Sequence, residues 1–130
     1  MVMALLLLLS ACKRERKTNQ LEKWLPDPEK IVKARTALAL TEQQQQLIES
    51  SYRQGRIRYD SLQREAQAQT ARLEAILKKH PTHADSAGAT LKQLLTIENE
   101  IKLLRLTVYI YCKNQLTEEQ LQQYYNTLKQ

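Results

Sequence analysis

The chain has 130 residues, 20 of them Lys or Arg and 14 Asp or Glu, for a formal charge of +6. That length accommodates one domain. It offers no Gly-rich phosphate loop, no nucleophile elbow, no nucleophile–base pair and no apolar run of the roughly 20 residues that span a bilayer, so neither an enzyme nor a cofactor is expected. Residues 13–35 hold 8 basic and 4 acidic side chains and the remainder 12 and 10, so the excess charge sits near the N-terminus rather than on a dedicated nucleic-acid surface.

Met1 to Ala11 is almost wholly apolar, with leucine at every position from Leu5 to Leu9. It is too short to cross a membrane as a helix and fits the apolar region of a signal peptide. It ends in Leu9-Ser10-Ala11-Cys12, which resembles the lipobox of bacterial lipoproteins. The resemblance implies export, cleavage before Cys12 and acylation of that cysteine, which would hold the chain on a membrane. The usual basic segment is missing before the run, so either the Met1 amino group supplies the charge or the true start lies upstream. Lys13 to Gln20 is polar and basic and cannot bury enough apolar surface to order itself. It reads as a tether that touches anionic head groups or as a solvated spacer. Trp24 and Leu25 interrupt it, to dock on the body or to lie at a membrane interface. The expected division is a signal peptide at 1–11, a lipid-anchored basic tether at 12–26 and a helical domain at 27–130.

Asp27-Pro28-Glu29 supplies an N-cap, a proline at the first helical position and a favourable acid after it. With Ile31, Val32, Arg35 and Leu38 at helical spacing, a short helix is expected from Pro28 to Ala39. Leu40-Thr41-Glu42-Gln43-Gln44 then forms a capping box, in which the threonine hydroxyl accepts from the Gln44 N–H and the glutamine side chain reaches back. A long helix follows from Thr41 to Lys79. Steps of four and three residues pick out Ile48, Tyr52, Gly55, Tyr59, Leu62, Ala66, Gln69, Leu73 and Ile76, while the arginines fall off this seam. One narrow apolar stripe on a rod of roughly 57 Å implies a partner helix. His80-Pro81 ends the rod, and Pro81 to Gly88 is the turn region.

Helix resumes between Ala84 and Ala89 and runs to about Lys113, with a seam of Leu94, Ile97, Ile101, Leu104, Val108 and Tyr111. Val108-Tyr109-Ile110-Tyr111 alone looks like a strand, but it continues the helical phase and has no second strand to pair with. Leu116-Thr117-Glu118-Glu119-Gln120 repeats the capping box and opens a last helix from Glu118 to Lys129, with Leu121, Tyr124, Tyr125 and Leu128 on one face. The expected fold is all-α: a long antiparallel helical hairpin with short flanking helices. The apolar turns around Ile48 and Tyr52 need cover from a flanking helix or a second subunit. A homodimer in which the long helices cross, using Ile48, Tyr52 and Ile57, is the expected assembly.

Leu40, Thr41 and Gln44 with Leu116, Thr117 and Gln120 resemble the two LTxxQ motifs of the Spy/CpxP family of small periplasmic helical proteins, over roughly residues 36–130. The resemblance implies a curved all-helical homodimer in the bacterial periplasm, here in a lipid-anchored form. It also implies an ATP-independent chaperone or envelope-stress adaptor whose partners are unfolded envelope proteins or a stress-signalling protein. A holdase needs apolar patches beside charge. Tyr52, Ile57 and Tyr59, interleaved with Arg53, Arg56 and Arg58, offer such a surface; the alternative is that the tyrosines are core and the arginines a solvated face. Some members bind heavy metals, which makes metal sensing a second reading, and a purely structural envelope lipoprotein is a third. His80 and His83 are the candidate ligands, but Pro81 breaks the helix between them and no acidic or cysteine cluster stands at ligand spacing. Cys112 reads as a buried small hydrophobe or as half of an intermolecular disulfide.

Overall fold

The computed structural model describes residues 23–129. Cys12, the Met1–Ala11 run and the Lys13–Gln20 tether lie outside the described residues. These comprise four helices: α1 (Pro28–Lys33), α2 (Glu42–Leu77), α3 (Ala84–Asn114) and α4 (Glu118–Leu128), with no strand among them. None of them is long and apolar enough to cross a membrane. The two long helices pack along each other as the expected hairpin. The run Val108–Tyr111 is helical within α3.

The local starts follow from the sequence. Asp27 caps α1, its carboxylate accepting from the Glu29 N–H at 2.9 Å. Thr41 and Thr117 cap α2 and α4 with complete capping boxes. His83 caps α3: its Nδ1 accepts from the Ser86 N–H at 3.2 Å, so the helix begins at Ala84.

All nine positions of the α2 seam are buried or half-buried, with Ile48, Leu62 and Leu73 the most enclosed. Gly55 is a working member of this seam. A Cβ placed there would lie 2.8 Å from Val108 Cγ2, so glycine lets α2 and α3 approach closely at this level. On α3 the seam runs through Thr90, Leu94, Ile97, Ile101, Leu104 and Val108. Its last position is corrected. Tyr111 is 40 % exposed and Cys112 is fully buried. Alternating steps of three and four average 3.5 residues, whereas a helix turns every 3.6, so a long seam periodically needs two steps of four. The steps Leu104–Val108–Cys112 supply them.

The short first helix is also corrected, ending at Lys33 rather than Ala39. Residues 34–39 form successive turns, closed by Leu40 N–H donating to the Arg35 carbonyl at 3.0 Å. Ala39 takes a left-handed conformation, φ 50°. These turns push Leu38 into the core, 3 % exposed, and leave the Leu38 and Ala39 carbonyls facing α4. Of Trp24 and Leu25, which precede α1, Leu25 docks on the body while Trp24 stays 72 % exposed.

One core cluster joins the elements at this end of the hairpin: Ile31, Leu38, Ile48, Cys112 and Tyr124, with Val32, Leu40, Val108, Leu116 and Tyr125 packed around it. The cover needed near Ile48 therefore comes from within the chain. Ile48 is completely enclosed and unavailable to a second subunit. On α4, Tyr124 is buried and ties the helix to the N-terminal segment: its hydroxyl accepts from the Asp27 N–H at 3.1 Å. Leu128, expected on the same covered face, is 51 % exposed because the helix ends there.

Candidate functional site

The two capping boxes meet. In the first, the Gln44 N–H donates to Thr41 Oγ1 at 3.1 Å and the Thr41 N–H to Gln44 Oε1 at 2.9 Å. In the second, the Gln120 N–H donates to Thr117 Oγ1 at 3.2 Å and the Thr117 N–H to Gln120 Oε1 at 2.9 Å. The two side-chain amides then bond reciprocally, Gln44 Nε2 to Gln120 Oε1 at 2.8 Å and Gln120 Nε2 to Gln44 Oε1 at 3.1 Å. The remaining N–H of Gln44 goes to the Gln115 carbonyl at 2.7 Å. That of Gln120 goes to the Leu38 carbonyl at 3.2 Å, with Ala39 at 3.4 Å.

Each primary amide has two donors and two acceptor lone pairs, and here all of them are engaged. Glutamate caps a helix equally well but has no donor to give its partner. Asparagine is one methylene too short to reach back to its own cap. The repeated glutamine is thus explained by a bond between the two motifs, and not by helix initiation alone.

A shallow apolar groove lies between α1 and the stretch of α2 from Glu49 to Ile57, with a volume of about 450 Å³. Val32, Tyr52 and Ile57 form its apolar lining, and Lys33, Arg53 and Arg56 stand with Glu29 and Glu49 around it. Four of the six residues nominated from the sequence are therefore together: Tyr52, Arg53, Arg56 and Ile57. Ile57 is 66 % exposed, an unusual degree for an isoleucine, and Arg56 pairs with Asp60 at 3.7 Å.

The other two nominees are elsewhere. Arg58 crosses the hairpin to Glu100 at 3.3 Å, and Tyr59 is half-buried in the seam, its hydroxyl accepting from Gln63 Nε2 at 2.7 Å. Six residues spread between Tyr52 and Tyr59, four of them consecutive, cannot share one face of a helix, whereas Glu49, Tyr52, Arg53 and Arg56 fall at i, i+3, i+4 and i+7. That spacing was the available signal for Glu49; α1's contributions, Glu29, Val32 and Lys33, carried no signal without tertiary contacts.

His80 and His83 are both exposed, and the Nδ1 of His83 is occupied by Ser86. Among the described residues no group of three or more His, Cys, Asp or Glu stands where it could hold a metal ion. Cys112 is a free thiol sealed under Ile48, its Sγ 4.0 Å from the Ile48 carbonyl oxygen. Burial pushes it up to about 11, against a smaller opposing effect of a hydrogen bond with Ser51. A protonated, enclosed thiol is a poor nucleophile and a poor disulfide partner. No family model, curated protein or solved structure matches the chain significantly.

Proposed function

We propose that this chain is a Spy/CpxP-like, lipid-anchored envelope protein that holds unfolded envelope proteins without ATP, or presents them to a stress-signalling partner. The observation that carries the reading is the groove: exposed Ile57 beside Tyr52 and Val32, with Lys33, Arg53 and Arg56 close by. Apolar surface gives affinity for collapsed clients, and adjacent cations speed capture and keep the complex soluble. The paired LTxxQ boxes and the lipobox-like Cys12 support the same reading. It assigns the chain no catalysis, cofactor or metal, and places it in the bacterial periplasm.

The test is light scattering of a denatured client with the purified chain and no ATP. Suppression at a few-fold excess is expected, and Ile57→Glu should weaken it several-fold with an unchanged circular dichroism spectrum. No suppression at several-fold excess would contradict the proposal. Anchoring is checked by palmitate labelling, which Cys12→Ser should abolish.

A homodimer with crossed α2 helices, the expected assembly, would draw on the same surface, so dimerisation and client capture compete for it. With Ile48 covered by α1, the contact rests on Ile57 and its neighbours. Sedimentation equilibrium at tens of micromolar should give the dimer mass; a stable, fully helical monomer would leave the groove to clients alone.

A further inference from the structure

Helix α3 carries two apolar stripes, and only one of them meets α2. At about 100° per residue the seam from Thr90 to Cys112 occupies one side. On the opposite side stand Leu91, Leu95, Leu103, Leu106 and Ile110, between 39 % and 63 % exposed. No other element among the described residues buries them. Lys92, Lys102 and Lys113 are interleaved with these side chains on the same half of the helix. The two carboxylates between Leu91 and Lys113, Glu98 and Glu100, fall on its flanks, and Glu100 faces Arg58 of α2. The outward half of α3 over this stretch, roughly 33 Å long, is therefore apolar and basic with Asn99, Thr96 and Thr107 among the leucines, and its two acids stand at its edges.

We propose that this face docks on an anionic membrane surface. A broad outward band of half-exposed aliphatic side chains with lysines among them matches a flat, uniformly negative plane. The apolar groups enter the head-group boundary while the lysine stems extend their ammonium groups to lipid phosphates. A second copy placed face to face would set three lysines against three, and like charges across an interface oppose it. The groove between α1 and α2 is on different elements, so α3 can lie on lipid while the groove stays open. The stretch at residues 13–35, with 8 basic and 4 acidic side chains, adds to the same attraction. The inference goes beyond the proposed function and depends neither on client binding nor on acylation of Cys12.

The test uses the full chain with Cys12→Ser and Cys112→Ala, carrying one environment-sensitive fluorophore at Leu103→Cys on α3 or at Arg64→Cys on α2. Each is mixed with phosphatidylglycerol-containing vesicles bearing acyl-chain spin labels, or with pure phosphatidylcholine vesicles. The expected result is a blue shift and strong quenching at position 103, little at position 64, and a several-fold loss of quenching on phosphatidylcholine. Lys92→Glu/Lys102→Glu/Lys113→Glu should lower the quenching several-fold, and 500 mM salt should do the same without any substitution. The proposal is overturned by equal quenching at both positions or by none at 103. It is also overturned by a shift at 103 that grows with protein concentration without lipid quenching, which would assign the face to a second copy.

Discussion

At one end of the hairpin four helices, the turn segment 34–39 and the residues before α1 converge; at the other, α2 and α3 are alone. The converging end holds the Ile31–Leu38–Ile48–Cys112–Tyr124 cluster, and its polar groups bond across the chain, from Asp27 to Tyr124 and from Gln44 to Gln120. Towards the turn, the packing thins to Leu73, Leu94 and Thr90, while Leu77 and Leu91 are about two-fifths exposed. Both ends are equally helical, so helix content says nothing about where the fold is held. A two-helix layer buries one stripe of each rod, whereas a junction of four segments buries side chains all round and fixes the register between distant parts of the chain.

The largest expected difference comes from truncating one aliphatic side chain at each end. Ile48→Ala, from a completely enclosed site, should cost about 3 kcal/mol, and Leu77→Ala at the open end under about 1 kcal/mol, by urea denaturation. Similar costs at both ends would break the comparison. Between the ends, Gly55→Ala gains helix propensity of about 1 kcal/mol but drives a Cβ into Val108, whose branched side chain has little rotamer freedom. Overpacking of 1–3 kcal/mol should win, leaving a net loss of about 1 kcal/mol that Gly55→Ala/Val108→Ala partly relieves.

Two adjacent tyrosines sharpen the point within the junction itself. Their rings meet edge to face at 5.4 Å, yet the Tyr124 hydroxyl accepts from Asp27 while that of Tyr125 is buried without a hydrogen-bond partner. Tyr124→Phe should destabilise by about 1 kcal/mol, and Tyr125→Phe should be neutral or stabilising by a similar amount, read as opposite shifts in the urea midpoint.

The smallest effect is the pH dependence at Cys112. Its thiol is raised from 9.0 to about 11 in the folded chain. The folded state therefore keeps a proton that the unfolded chain releases, and its contribution is complete below pH 9 and lost as pH rises through about 11. Cys112→Ala should flatten the stability profile between those limits. Burial also raises Tyr125, so part of the alkaline decline should survive the substitution.

Much of this architecture was legible in the residues. Capping boxes are local, and the two LTxxQ segments announced both helix starts correctly. The α2 seam was legible because a long periodic stripe outweighs any single residue. The last position of the α3 seam was misplaced because the 3.5-residue pattern drifts against the 3.6-residue turn over so long a helix, moving the buried site from Tyr111 to Cys112. The helix expected from Pro28 to Ala39 ends six residues sooner, since the gain from turning Leu38 inward and offering two carbonyls to Gln120 is tertiary. The groove was half legible: the α2 residues lay in a recognisable register, while Val32 and Lys33 joined it only through the packing of α1. The outward stripe of α3 was missed because the inward seam already accounted for its leucine content.

The central claim is that the two capping boxes form one interlocked unit. It is tested most directly by a double-mutant cycle on Gln44 and Gln120, with each replaced by alanine singly and together and unfolding followed in urea. Each single change should cost about 2 kcal/mol, because it removes a cap bond and leaves partners unsatisfied. The pair should cost at least about 1 kcal/mol less than the sum, the signature of a direct bond between them. Strict additivity would mean that each glutamine serves only its own helix, and would contradict the account.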